Sequence, residues 1–203
     1  MKLIDASYEI TRLDKVADIR EICEAYCMCY ATPVPDSYDA KCEFIKKHRR
    51  HESPLEHSIM SVNFTINRGI SHELVRHRHT AYSQQSTRYC NYQNERFGSE
   101  VIFINDSHAY ELAIEDIWKE GLKRSESEYF ARLDLGQAPE EARGCLPNDT
   151  ATKIKVSTNF REWRSIFMLR CDSHAHYQMR EVMRPLFNKV VVELPCIFDD
   201  ISF

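Results

Sequence analysis

The chain has 203 residues, 43% of them hydrophobic and 29% charged, with a formal net charge of -4. These totals describe an ordinary globular protein with a sizeable core, most in keeping with one domain, although two small ones also fit the length. They argue against a general nucleic-acid binder; no apolar run approaches the ~20 residues that span a bilayer, and the N-terminus lacks a secretory pattern, so a cytoplasmic location is expected.

Residues 2–11 alternate loosely and predict a strand. From Leu13 to Tyr30 the period becomes helical, with a stripe of Val16, Ile19, Ile22, Cys23, Tyr26, Cys27 and Tyr30. That stripe absorbs two of the clustered cysteines, and no CxxC pair or zinc-finger spacing accompanies the eight cysteines of the chain. They read as core thiols of a reducing compartment. Pro33 and Pro35 break the chain, and Asp36 or Ser37 then caps a second helix running towards Arg50. His51 to His57 is a turn dense in polar groups, but its HExxxEH spacing is not that of a zinc protease, so no metal is expected.

Ile59 to Arg68 alternates as a half-buried strand. Ser71 as N-cap and Glu73 in the first turn predict a short helix over 71–79. On such a helix Arg76, His77 and Arg78 splay over about 200° of surface, an arc suited to a ligand with two anionic or aromatic parts. The run that follows has hydroxyls at 80, 82, 83, 86, 87 and 89, a third arginine at 88 and no glycine. An anion here would be gripped by guanidinium forks and hydroxyls rather than by a P-loop backbone. A solvated basic helix end is the plainer alternative.

A strand is expected at 101–104, then a long helix from Ser107 to near Gly136 with apolar positions at Tyr110, Ile114, Ile117, Trp118, Leu122, Tyr129, Phe130 and Leu133. Pro139 opens a short helix that stops at Gly144, with Arg143 in its last turn. Residues 150–158 alternate as another strand. In the helix that begins near Asn159, Trp163, Phe167 and Arg170 fall on one stripe. An arginine there is costly unless an anion, or a carboxylate such as Asp172 or Glu162, meets it. A final helix from His174 to Phe198 is expected to kink or split at Pro185. Without repeats or linkers, one compact α+β domain fits best.

Arg76-His77-Arg78, seven residues and then Ser86 resembles the signature of the flavin-dependent thymidylate synthases. Three other stretches resemble that family: Ser53-Pro54 with Glu56, the run from Ala142 to Pro147, and Asn159-Phe160-Arg161 leading to Arg170 and Asp172-Ser173-His174-Ala175. The resemblance implies an α+β fold, an antiparallel sheet with packed helices, homotetramers with sites shared between subunits, and reductive methylation of deoxyuridine monophosphate (dUMP). Methylenetetrahydrofolate would supply the carbon, and FAD reduced by NADPH the hydride.

It places Ser53, Glu56, Arg76, His77, Arg78, Gln84, Asn159, Arg161 and Ser165 at FAD. Glu73, Arg76, Gln84, Gln85, Ser86, Thr87, Arg88, Arg143 and Arg170 fall at the substrate nucleotide. Arg170 would activate the uracil ring electrostatically, and Cys196 would not attack it. The family commonly has glutamate at the position of Gln84 and glutamine near that of Glu73, so the exchange would move one carboxylate within the pocket. Two other classes remain open. One is a nucleic-acid binder using Arg68, Arg76, Arg78, Arg88 and Arg96 with stacking Tyr82, Tyr89 and Tyr92; the other is an inert nucleotide-binding scaffold.

Overall fold

The computed structural model describes residues 1–111 and 114–203, with Tyr110 and Glu111 as backbone only. In chain order the elements are β1 (Lys2–Ile4), β2 (Ser7–Arg12), α1 (Lys15–Tyr30), α2 (Tyr38–His48), β3 (Ile59–Asn67), α3 (Arg68–Leu74), β4 (Thr80–Gln84) and β5 (Ile102–Ile104). They continue with α4 (Ser107–Glu111), α5 (Glu115–Asp134), α6 (Pro139–Ala142), β6 (Ala151–Asn159), α7 (Phe160–Arg170), α8 (Tyr177–Glu193) and α9 (Pro195–Phe198). Short 3-10 turns occupy Ser53–His57 and Arg143–Cys145. Whether one helix runs from 107 to 136, and whether Tyr110 serves its apolar face, falls outside the described residues.

The fold is α+β, as expected. Among the described residues one sheet has the order β2-β3-β6-β4, and β1 pairs with β5 in a second. Phe160 N donates to Ser58 O and Arg68 N to Thr150 O, so β3 and β6 run antiparallel. Gln85 N to Lys153 O and Thr158 Oγ1 to His79 O set β4 antiparallel to β6 in the same way. The β1–β5 pair is parallel, which the sequence pattern did not announce.

The chain divides into two compact units. The first comprises Met1–Ser7, Phe64–Leu74 and Ser83–Ile154; the second comprises Tyr8–Asn63, Val75–Tyr82 and Lys155–Phe203. The core of the first unit is Tyr92, Val101, Phe103, Leu122, Tyr129 and Ala142. In the second, Trp163 and Phe167 stack at 5.5 Å, Phe198 and Phe187 meet Phe167 edge-on, and Trp163 Nε1 donates to Met60 O at 3.0 Å. An indole buried this deeply needs a partner for its N–H, and the start of β3 provides it.

Several expectations shift. The single strand over 2–11 is two, because Lys2–Ile4 takes Ile102–Ile104 as its partner while Ser7–Arg12 joins the larger sheet. The helix placed at 71–79 begins at Arg68 instead: Asn67 Oδ1 accepts from Ile70 N, so asparagine is the capping side chain and Ser71 lies inside, donating to Arg68 O. Arg76, His77 and Arg78 consequently sit in a turn, and the helical arc expected for them does not exist.

Pro185 stays within α8. Met179, Val182, Met183, Leu186, Phe187 and Val190 are buried on both sides of it, and that packing outweighs a proline penalty of about 3 kcal/mol. The break falls at Leu194, whose φ of -132° and ψ of 59° lie outside the α region that Pro195 disfavours for the residue before it. The core-thiol reading holds for Cys23, Cys27, Cys171 and Cys196, whereas Cys29 is exposed. No described helix is long and apolar enough to cross a membrane.

Arg164, on α7, was not singled out by its sequence position, yet it is buried. Its Nη1 and Nη2 meet Asp200 Oδ1 and Oδ2 at 2.7 and 2.9 Å, and Nη1 also donates to Ile197 O. Such a fork ties the C-terminal segment to α7. Replacing Arg164 with alanine leaves the Ile197 carbonyl unmatched and Asp200 with Arg49 Nε at 3.3 Å as its remaining ion-pair partner among the described residues; a loss of about 3 kcal/mol in urea unfolding is expected.

Candidate functional site

A cleft of about 480 Å³ in the second unit is lined by Glu52, Glu56, His79, Asn159, Arg161, Glu162, Ser165 and Met168. The sequence makes it locally. Asn159 ends β6 and caps α7, its Oδ1 accepting from Glu162 N at 2.9 Å, so Arg161, Glu162, Ser165 and Met168 emerge within the first turns of one helix. Facing them, the 3-10 turn at Ser53–His57, begun by Pro54 near its start, presents Glu56. Arg161 Nη1 meets Glu56 Oε1 at 2.5 Å and Arg161 Nε meets Glu52 Oε2 at 3.5 Å. Arg161 is half exposed, so these pairs are readily exchanged for another anion.

Of the residues expected at a flavin, Glu56, Asn159, Arg161 and Ser165 line this cleft. Ser53 lies three residues before Glu56 and its hydroxyl pairs with His51 Nε2 at 3.1 Å. Arg76 and Arg78 are exposed, and neither makes a hydrogen bond or ion pair among the described residues. His77 between them is buried. Its Nδ1 lies 3.2 Å from Glu162 Oε1, and Arg170 Nε donates to its Nε2 at 3.0 Å. Because Nε2 accepts, the ring proton belongs on Nδ1, where it faces the Glu162 carboxylate.

Burial, and secondarily the charge of Arg170, pushes the His77 pKa below the usual histidine value, against the opposing pull of Glu162. The imidazole is therefore neutral and relays the position of Glu162 to Arg170. Glu162, considered beforehand only as a possible direct partner for Arg170, reaches it through His77. Glu52, His79 and Met168 carried no sequence signal as lining residues; only the tertiary approach of the 51–57 turn, the turn after α3 and α7 brings them together.

The residues expected at the nucleotide lie mostly in the first unit. Gln84 Nε2 donates to Ser71 Oγ at 2.9 Å and Thr152 Oγ1 at 3.2 Å. Since Ser71 donates its own proton to Arg68 O at 2.8 Å, it is left as an acceptor, which suits glutamine at 84 and would oppose glutamate. Glu73 is half-buried on α3. Gln85 is held by its backbone, with N bonded to Lys153 O and O accepting from Arg68 Nη2. Thr87 is buried and accepts from Arg143 Nη1 at 3.0 Å; Arg88 Nε pairs with Glu140 Oε2 at 2.9 Å, and Arg88 N bonds Ser86 Oγ at 3.2 Å.

Fold and site define an α+β protein whose guanidinium and hydroxyl groups form anion-accepting surfaces. The family described as Thymidylate synthase complementing protein matches residues 13–196. The Flavin-dependent thymidylate synthase of Mycolicibacterium vanbaalenii is 34% identical over 161 residues, covering 74% of this chain and 64% of that protein. The protein of the same name from Mycobacterium tuberculosis is 31% identical over 163 residues, with 74% and 64% coverage. The chain thus belongs to the flavin-dependent thymidylate synthase family, and its match spans 64% of the length of these curated relatives.

Its fold is shared with two solved structures. One is a UMP/dUMP methylase from Streptomyces cacaoi bound with 5-Br dUMP: TM-score 0.81, 18% identity, 98% of this chain and 96% of that one. The other is Thymidylate Synthase X from Helicobacter pylori with FAD and dUMP: TM-score 0.76, 21% identity, 96% and 98%.

A neutral buried His77 has a consequence for pH. Below about 6.5 the unfolded chain takes up a proton that native His77 refuses, so stability present above that value is lost as pH falls through it. Urea midpoints measured at pH ~7.5 and ~5.5 are expected to differ less in His77→Gln than in the parent, because the unfolded chain then carries one fewer group that titrates in this window.

Proposed function

We propose that this protein reductively methylates dUMP to the thymidine nucleotide, and the observation that carries the reading is the family match over residues 13–196. FAD and dUMP accompany the Helicobacter pylori structure, and the residues present here suit both. Arg76 and Arg78 are exposed cations without partners among the described residues, fit for a pyrophosphate, while Asn159 and Ser165 offer hydrogen-bonding groups beside the apolar Met168 for a flat ring system.

Ser53, Glu56, Arg76, His77, Arg78, Gln84, Asn159, Arg161 and Ser165 are assigned to FAD. When bound and reduced by NADPH, FAD supplies the hydride, and methylenetetrahydrofolate is the carbon donor. Glu73, Arg76, Gln84, Gln85, Ser86, Thr87, Arg88, Arg143 and Arg170 are assigned to the nucleotide. The guanidinium of Arg170 stabilises negative charge at N3 and O4 of the uracil and so favours reaction at C5. His77, fixed by Glu162, orients that guanidinium by accepting from its Nε.

The cysteines need not attack the ring. Burial raises the Cys196 thiol far above its usual value and pushes Cys171 up to about 12, so neither is a ready thiolate. A homotetramer with shared sites belongs to the same reading, supported by exposed apolar side chains such as Met28, Ile117, Leu169 and Val192. A single-domain organisation is supported by a structural likeness covering 98% of the chain, and a cytoplasmic location belongs to the same reading.

The purified protein is expected to be yellow and to form the thymidine nucleotide from dUMP, methylenetetrahydrofolate and NADPH. A colourless protein that ignores added FAD, or NADPH oxidation with no methylated product by chromatography, overturns the proposal. Arg170→Lys keeps the charge but loses the planar fork, and kcat is expected to drop about a hundredfold. Cys196→Ala is expected to hold kcat within about twofold, since a thiol raised this far contributes packing only.

A further inference from the structure

Arg68, between β3 and α3 in the first unit, is a half-buried cation whose surroundings do not compensate its charge. Nη2 donates to Gln85 O at 3.0 Å, while Nε is buried and has no hydrogen-bond partner. Among the described residues no carboxylate lies within ion-pair distance of it. Arg143 is likewise without a carboxylate: Nη1 donates to Thr87 Oγ1 at 3.0 Å and Nε to Glu140 O at 3.2 Å.

Only Ser86 separates Gln85 from Thr87, so both guanidiniums converge on one short stretch that also carries the Ser86 hydroxyl. Burial lowers the pKa of Arg68, and against the opposing influence of Tyr92 the charge of the nearby Arg143 lowers it further. Folding brings like charges together where, among the described residues, neither has a counter-ion. Glu140, on α6 beside this stretch, is already engaged by Arg88 at 2.9 Å.

We propose that Arg68 binds the phosphate of the nucleotide, acting with Arg143 over Gln85–Thr87. The proposal rests on the nucleotide-site reading above and adds a residue that the family motifs do not assign. A phosphomonoester carries about -1.5 to -2 charges at pH 7, which matches two unpaired guanidiniums, and its oxygens suit their donors. Arg68 is then a substrate-specificity residue. It distinguishes nucleotide from nucleoside without touching the base.

Calorimetric titration of the FAD-loaded protein with dUMP and with deoxyuridine tests this in the parent, Arg68→Gln and Arg68→Lys, with thermal melting as the folding control. Arg68→Gln is expected to weaken dUMP about ten- to a hundredfold, the range for a lost charge-assisted hydrogen bond, with deoxyuridine unchanged. Arg68→Lys, which retains the charge and serves should the glutamine variant fail to fold, is expected to weaken dUMP about three- to tenfold.

Unchanged dUMP affinity in a folded variant, or equal weakening of dUMP and deoxyuridine, overturns the role of Arg68 and leaves the methylation reading standing. Should the parent ignore dUMP yet bind inorganic phosphate in an Arg68-dependent way, the methylation reading fails and the anion site stands. A parent that binds neither probe overturns the site.

Discussion

A neutral imidazole held between a carboxylate and a guanidinium governs the second unit. His77 is buried, so a charge on its ring would have to be desolvated, and Arg170 at 3.0 Å adds repulsion to that cost. Both effects keep the ring neutral. Neutrality leaves one nitrogen to donate and one to accept, and the geometry uses each once. Glu162 thereby bears on the orientation of Arg170 through the ring, a rigid spacer that conducts orientation rather than charge.

Arg170 is the residue to which the chemistry is assigned, and what matters for electrostatic catalysis is that a donor be aimed before the substrate arrives. A lone arginine at the end of α7 would lose rotamer freedom on engaging a ligand. Anchoring Nε on His77 meets part of that cost at folding. The same logic holds for Arg164, one turn and a half earlier on the helix, whose fork is locked on Asp200 and Ile197 O. Of these two arginines on one helix, one secures the fold and the other is held near a cleft.

The first unit handles charge differently. Around Gln85–Arg88 the arginines outnumber the acids, and a half-buried Arg68 keeps one N–H unmatched. Natural folds rarely leave such groups without a reason, and a ligand supplied from outside is a physical one. Gln84 fits the same economy of donors and acceptors: its amide donates to two hydroxyl oxygens, and one of them, on Ser71, has its own proton committed to Arg68 O and none to offer a carboxylate. Glutamine at position 84 therefore has a local structural cause.

Much was legible in the sequence. Alternation located β3 and β6, helical periodicity located α1 and α7, and residue order along the chain identified the family, because all three are properties of neighbours in sequence and survive without coordinates. Arg76-His77-Arg78 shows where that stops. Its residue types pointed to anions, but its helix was misplaced: Asn67, three positions ahead of Ile70, outcompeted Ser71 as the cap.

Only the tertiary structure decided that the middle residue of that triplet is buried while its neighbours stay exposed, that Glu162 reaches Arg170 through a ring 85 residues away in the chain, and that Arg68 stands beside Arg143 with no acid to face among the described residues. Burial and partner choice depend on groups far apart in sequence, and no local pattern encodes a desolvation cost.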